Sequence, residues 1–124
     1  MKPIHKKRIK MWVDALMRSK KQTRGTLKNK EGRCCLGVAC DVYKRATKKG
    51  GWKKDMGGDL SFLDEECGLP ERVVEWFGLD RKYPQLEYEN KKVGAEELND
   101  NYHLTFAQIA QCIKETHLNE KGEN

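Results

Sequence analysis

The sequence predicts an α+β fold, with about four helices packed around one or two small antiparallel hairpins in a single domain. Two observations carry that expectation. Apolar residues recur at helical spacing near both ends of the chain and in two segments between. Short runs flanked by Gly- and Asn-rich turns separate those segments. At 124 residues the chain has the size of one domain, able to bury roughly two-thirds of its unfolded surface in one core.

Taken in order, Ile9, Trp12, Val13, Leu16 and Met17 fall on one helical stripe, with Lys6, Lys7, Lys10 and Asp14 off it. That spacing predicts a helix over 4–19. Residues 25–28 and 33–36 flank the four-residue turn Asn29-Lys30-Glu31-Gly32 and read as a hairpin. From Gly37 the face Leu36, Ala39, Cys40, Tyr43 and Ala46 predicts a second helix, fading at Thr47. Residues 47–59, rich in Gly and Lys and without a period, read as a mobile loop. Residues 60–63 suit a short strand. A third helix has Pro70 in its first turn and stops at Gly78 with Leu79 beyond it. Leu86 and Tyr88 alternate with acids toward Val93, an exposed strand or a second hairpin, and residues 95–98 suit one helical turn. Thr105 with Gln108 three residues on is a capping box that opens a last helix through Phe106, Ile109, Ala110 and Ile113. The tail, residues 119–124, is expected to fray.

No run approaches the ~18 apolar residues of a membrane span, and the basic start of the chain is followed by no apolar stretch of a secretory signal. The expected location is therefore the cytoplasm of the cell that makes the protein, with no membrane partner. Cysteines 34, 35, 40, 67 and 112 are odd in number, and the first two are adjacent. Reduced thiols serving as small interior hydrophobes are the expectation.

Charge is distributed unevenly. Residues 1–54 hold 18 of the 25 Lys/Arg and three of the 19 acids, a net +15, and residues 55–124 hold the rest, a net −9. A positive face attracts a nucleotide, a nucleic acid or an acidic protein. Lys48-Lys49-Gly50-Gly51-Trp52-Lys53-Lys54 joins cations, exposed backbone and one aromatic, which suits phosphates and a stacked base. It is not a phosphate-binding G-x4-G-K-[ST] loop. The ligand-binding candidates are Arg24, Arg33, Lys49, Trp52, Lys53, Asn99 and Asp100.

The alternative chemistry is nucleophilic. Cys35, just ahead of a helix, could act with His103 as base and Asn99 or Asp100 as orienter, giving a cysteine-dependent hydrolase. No catalytic residue is assigned in the leading reading. No C-x-x-C or H-x3-H spacing supports a metal, and no cofactor is expected. Docking of the last helix into DNA is opposed by its surface, where Gln108, Gln111, Lys114 and Glu115 offer one cation.

Four motifs follow one another: Arg24-Gly25-x-Leu27, Cys34-Cys35-Leu36-Gly37-Val38-x-Cys40-Asp41, Leu69-Pro70-x-x-Val73-x-x-Trp76-x-Gly78-Leu79, and Leu98-Asn99-Asp100-x4-Thr105-Phe106-x-x-Ile109-Ala110. The series resembles a widespread, uncharacterised family of small bacteriophage and prophage proteins marked by a CCLGVxC motif. The likeness spans nearly the whole chain. It implies context rather than chemistry: an accessory protein of host takeover or anti-defence that binds and disables a host component. The sequence reading is thus a non-enzymatic phage-type protein that binds an anionic partner, such as a nucleotide-like signal or nucleic acid. A host defence protein bound through the acidic C-terminal half is the alternative partner, and assembly into an oligomer is left open.

Overall fold

The computed structural model describes residues 1–119. Residues 120–124, which carry most of the tail expected to fray, lie outside the described residues. Helix α1 (Pro3–Arg18) buries one face and packs through it on three other helices. Its Ile9, Trp12, Val13 and Leu16 are buried as the stripe requires, but Met17, at the edge of that stripe, is exposed and Ala15 is buried instead. Helix α2 spans Cys35–Thr47, α3 Glu71–Phe77, α4 Ala95–Asp100 and α5 Phe106–Ile113. A π-helical turn (Lys114–Leu118) continues α5.

Two small antiparallel sheets accompany the helices. Strands β1 (Lys28–Asn29), β2 (Gly32–Arg33), β3 (Trp52–Lys54) and β4 (Leu60–Phe62) form one, in the order β2-β1-β4-β3. Strands β5 (Gln85–Tyr88) and β6 (Lys91–Gly94) form the other. The fold class is α+β.

Two local expectations are corrected. The segment 47–59 is not wholly a loop, because Trp52–Lys54 pairs with Leu60–Phe62 in the register Trp52↔Phe62. The Trp52 ring packs edge-on against Phe62 with centroids 5.1 Å apart, and this apolar contact fixes a strand that its lysines disguise. The first hairpin is also shorter than expected, pairing residues 28–29 with 32–33. Cys35 and Leu36 already belong to α2.

The core is continuous and aromatic at its centre. Trp12 meets Phe77 at 5.6 Å, and Trp76 meets both Phe77 and Tyr43 edge-on. The Trp12 indole N–H donates to the Cys35 carbonyl at 3.0 Å, which binds α1 to the first turn of α2 and satisfies the buried polar atom of a large ring.

Candidate functional site

Helix α2 turns Leu36, Ala39, Cys40 and Tyr43 inward. The opposite face carries Asp41, Lys44, Arg45 and Lys48. With Ser19 at the end of α1, Val38, and Arg33 on β2, these residues line a cleft of about 590 Å³, a size common for small-ligand sites. Four cations face one carboxylate there.

That carboxylate is already engaged. Asp41 Oδ2 pairs with Arg33 Nε, and Asp41 Oδ1 accepts the Trp52 indole N–H at 2.8 Å. Lys28 adds to the crowding, its ammonium lying 5.2 Å from the centroid of the Trp52 ring. Burial, and then the positive charges of Arg33 and Lys44, hold the Lys28 amine below its ordinary value, with Asp41 opposing them. Lys44 and Arg45 also complement the negative end of the α2 dipole. The cleft nevertheless retains an excess of positive charge that a bound anion would relieve.

Among the described residues, none of three ion pairs neutralises charge between the basic first half and the acidic second half. The ion pairs Arg33–Asp41, Arg81–Asp80 and Lys82–Glu65 each join residues of the same half of the chain. Three exposed or half-buried carboxylates, Asp55, Asp59 and Glu66, bring oxygens within 4.8 Å of one another, and hydrogen bonding and repulsion from Asp55 raise the Glu66 carboxyl. The Asp55 carboxylate accepts the Gly57 and Asp59 N–H groups, so it also organises its own turn.

The seven predicted ligand-binding residues do not converge. Arg33 alone lines the cleft. Trp52 does not line it: the ring is half-buried against Phe62 and its N–H is tied to Asp41, so it is not a free stacking platform. Lys53 is exposed on β3. Lys49 lies by a separate shallow depression with Tyr43, Thr47, Arg72, Glu75 and Trp76. Arg24, Asn99 and Asp100 form a group of their own: Arg24 Nε donates to the Asn99 carbonyl at 3.2 Å, and Asn99 Nδ2 donates to Asp100 Oδ1 at 2.8 Å.

Asn99 is a tie, with no ligand-facing surface. It is completely buried. Its Oδ1 accepts the Cys35 N–H at 3.2 Å and the Gln22 side-chain amide at 2.8 Å, and its Nδ2 also donates to the Thr23 carbonyl at 2.9 Å. Both ends of the amide are satisfied by protein.

The nucleophile reading fails on access. Cys35 has no exposed surface, and its thiol donates to the Ala95 carbonyl at 3.5 Å. Burial pushes that thiol well above its usual value, and the charges of Asp100 and Glu96 push the same way. Cys40 is raised mainly by burial, and Cys34 is pushed up to about 12. His103 is exposed in a left-handed conformation at φ 56°. A thiolate nucleophile needs ionisation and contact with substrate, and Cys35 has neither. All five cysteines are free, four of them buried.

The family model described as Domain of unknown function (DUF8296) matches residues 5–117. The chain belongs to the DUF8296 family. The match takes in α1 through α5, so cleft and core alike are family territory. No curated protein and no solved structure matches the chain. No helix among the described residues is long and apolar enough to cross a membrane.

Of the cleft's cations, the sequence reading did not single out Lys44 and Arg45, and it placed Lys48 only in the 48–54 loop. The signal was present: Lys44 and Arg45 lie off the apolar stripe of α2 in its last turn, Lys48 follows Lys44 by one turn at the C-cap, and a cationic helix end beside a basic hairpin forms one surface.

Proposed function

We propose that this protein is a non-enzymatic binding protein for an anionic, phosphate-bearing partner, used as a phage-type accessory factor against a host component. The carrying observation is the cleft where Arg33, Lys44, Arg45 and Lys48 meet with a single, already engaged carboxylate. Guanidinium and ammonium groups that crowd one another lose part of their mutual repulsion when a phosphate enters. Trp52 is packed on Phe62 and tied to Asp41 outside the cleft lining, so recognition rests on charge and on Arg geometry more than on stacking over that ring.

The experiment is binding of fluorescent oligonucleotides and of nucleotides as salt is raised. With about four phosphate contacts, affinity for nucleic acid should fall roughly 100-fold between about 50 and 200 mM salt. The double variant Lys44→Glu, Arg45→Glu should abolish binding while the fold persists. Failure of every nucleotide, RNA and DNA to bind at low salt would sink the reading.

A protein partner bound through the acidic half is the second reading, favoured by the clustered carboxylates of Asp55, Asp59 and Glu66. It requires that the triple variant Asp55→Asn, Asp59→Asn, Glu66→Gln lose the host protein that the native chain captures.

A further inference from the structure

A second groove adjoins the cationic cleft. It measures about 360 Å³ and lies between α1 and α2, lined by Met11, Asp14, Arg18, Val42, Arg45 and Ala46. Arg45 borders both depressions, so the two meet along one wall. The first carries four cations around the already engaged Asp41, whereas the second has an apolar floor with one carboxylate and one guanidinium from α1. A ligand that spans both has an anionic part and a flat, partly apolar part carrying its own donors and acceptors.

Asp14 and Arg18 stand at i and i+4 on α1, on one face of the helix. Both are exposed, and no ion pair joins them among the described residues. A carboxylate only accepts hydrogen bonds and a guanidinium only donates. Guanine is the nucleobase that answers both. Its N1–H and 2-amino group present two adjacent donors to a carboxylate, and its O6 and N7 present two acceptors to an arginine. Adenine offers one amino group beside an acceptor nitrogen, which a carboxylate repels. Uracil and thymine flank their single N–H with two carbonyls. The Met11 thioether, 36% exposed, suits the face of a planar ring.

Resting on the anion-binding reading of the adjoining cleft, we infer that the α1–α2 groove is a guanine subsite. A guanine nucleotide would place its phosphates on Arg33, Lys44 and Lys48, its base on Met11, Val42 and Ala46, and Arg45 between. Asp14 reads the guanine N1–H and 2-amino edge, and Arg18 reads O6 and N7.

The test is calorimetric titration with GDP, IDP, ADP and inorganic pyrophosphate at low salt. GDP should bind about tenfold tighter than ADP, and IDP, which lacks the 2-amino group, should fall between them. Asp14→Ala should remove most of the gap between GDP and ADP and leave pyrophosphate within twofold of native. Arg18→Ala should narrow the same gap. Equal affinity for GDP and ADP in the native protein overturns the guanine subsite but leaves the anion site standing. Parallel loss of GDP and pyrophosphate in Asp14→Ala also overturns it, because Asp14 would then act on the cleft as a whole. If none of the four ligands binds, both readings fall together.

Discussion

The side-chain oxygen of Asn99 caps the main-chain N–H of Cys35 across 64 positions of sequence, at 3.2 Å. Helix α2 therefore gets its N-terminal acceptor from α4. The residue in the local capping position, Cys34, makes no side-chain cap bond, since a thiol is a poor acceptor. The same amide holds Gln22 and the Thr23 carbonyl, so one buried side chain joins the α1–β1 connection, α2 and α4.

Replacement of Asn99 by Ala should be among the most damaging single changes. It strands the Cys35 N–H and the Thr23 carbonyl in a dry interior. Each stranded group costs about 1–3 kcal/mol, and a lost cap about 0.5–2 kcal/mol. The expected loss is about 3 kcal/mol, or roughly 10–15 °C in Tm for a domain of this size. Urea unfolding measures it directly, and a loss below about 1 kcal/mol would contradict the role assigned to this amide.

Gly37→Ala sets two effects against each other. Alanine is favoured over glycine inside a helix by up to about 1 kcal/mol. A Cβ at Gly37, however, would lie 2.0 Å from the Leu27 carbonyl oxygen and 3.3 Å from Arg33 Cβ. The nearer obstacle is backbone, and it accepts the Cys34 N–H at 3.1 Å, so it cannot move aside cheaply. Overpacking of this kind costs about 1–3 kcal/mol or more. The net result should be destabilisation by at least 1 kcal/mol, read by chemical denaturation. A stabilised variant would show that α2 and the hairpin are not locked together here.

How much of this was legible follows from the range of the forces involved. The capping box of α5 forms as its letters say, with Thr105 Oγ1 accepting the Gln108 N–H at 3.2 Å and Gln108 Oε1 accepting the Thr105 N–H at 2.8 Å. The α3 stop at Gly78, φ 74°, is equally local. The early start of α2 was hidden because its cap comes from far along the chain. Strand β3 was hidden because Trp52 finds Phe62 only after folding. Asn99 reads in the sequence either as a tie within its loop or as a group facing a ligand, and only its complete satisfaction by protein, which needs partners 64 to 77 positions away, allows its burial as a tie. The basic character of the first half was plain, but its focus on α2 required the hairpin and α1 to be set beside that helix.

The thiols should respond to pH in one direction. Cys34, Cys35 and Cys40 are held neutral by burial, Cys34 up to about 12 against 9.0 in an open chain. Above pH 9 the unfolded chain gives up these protons and the folded chain keeps them, so the folded state binds more protons. Stability must then fall as pH rises from about 9 toward 12, by up to about 1.4 kcal/mol per pH unit for each such thiol. Cys34→Ala should flatten the alkaline limb of the curve. At pH 8 a thiol reagent should label exposed Cys67 first, and the buried four only as the chain opens. Fast labelling of Cys35 would reopen a chemical role for it.

Lys48 offers a way to separate stability from binding. It closes α2 in the left-handed region at φ 62°, a conformation that costs a side-chain-bearing residue about 1–2 kcal/mol. Glycine relieves that cost, and the freer unfolded chain takes back about 0.5–1 kcal/mol, so Lys48→Gly should stabilise the protein by about 0.5–1 kcal/mol. The same change removes one of the four cations lining the cleft, so affinity for phosphate ligands should drop several-fold and the salt slope should decrease by about one. Lys48→Gln, which keeps the strain and loses the charge, should weaken binding by a similar factor without the gain in stability. If Lys48→Gly gains stability and binds nucleotides as the native chain does, the phosphate site does not include the end of α2, and the cation excess there serves only the helix dipole.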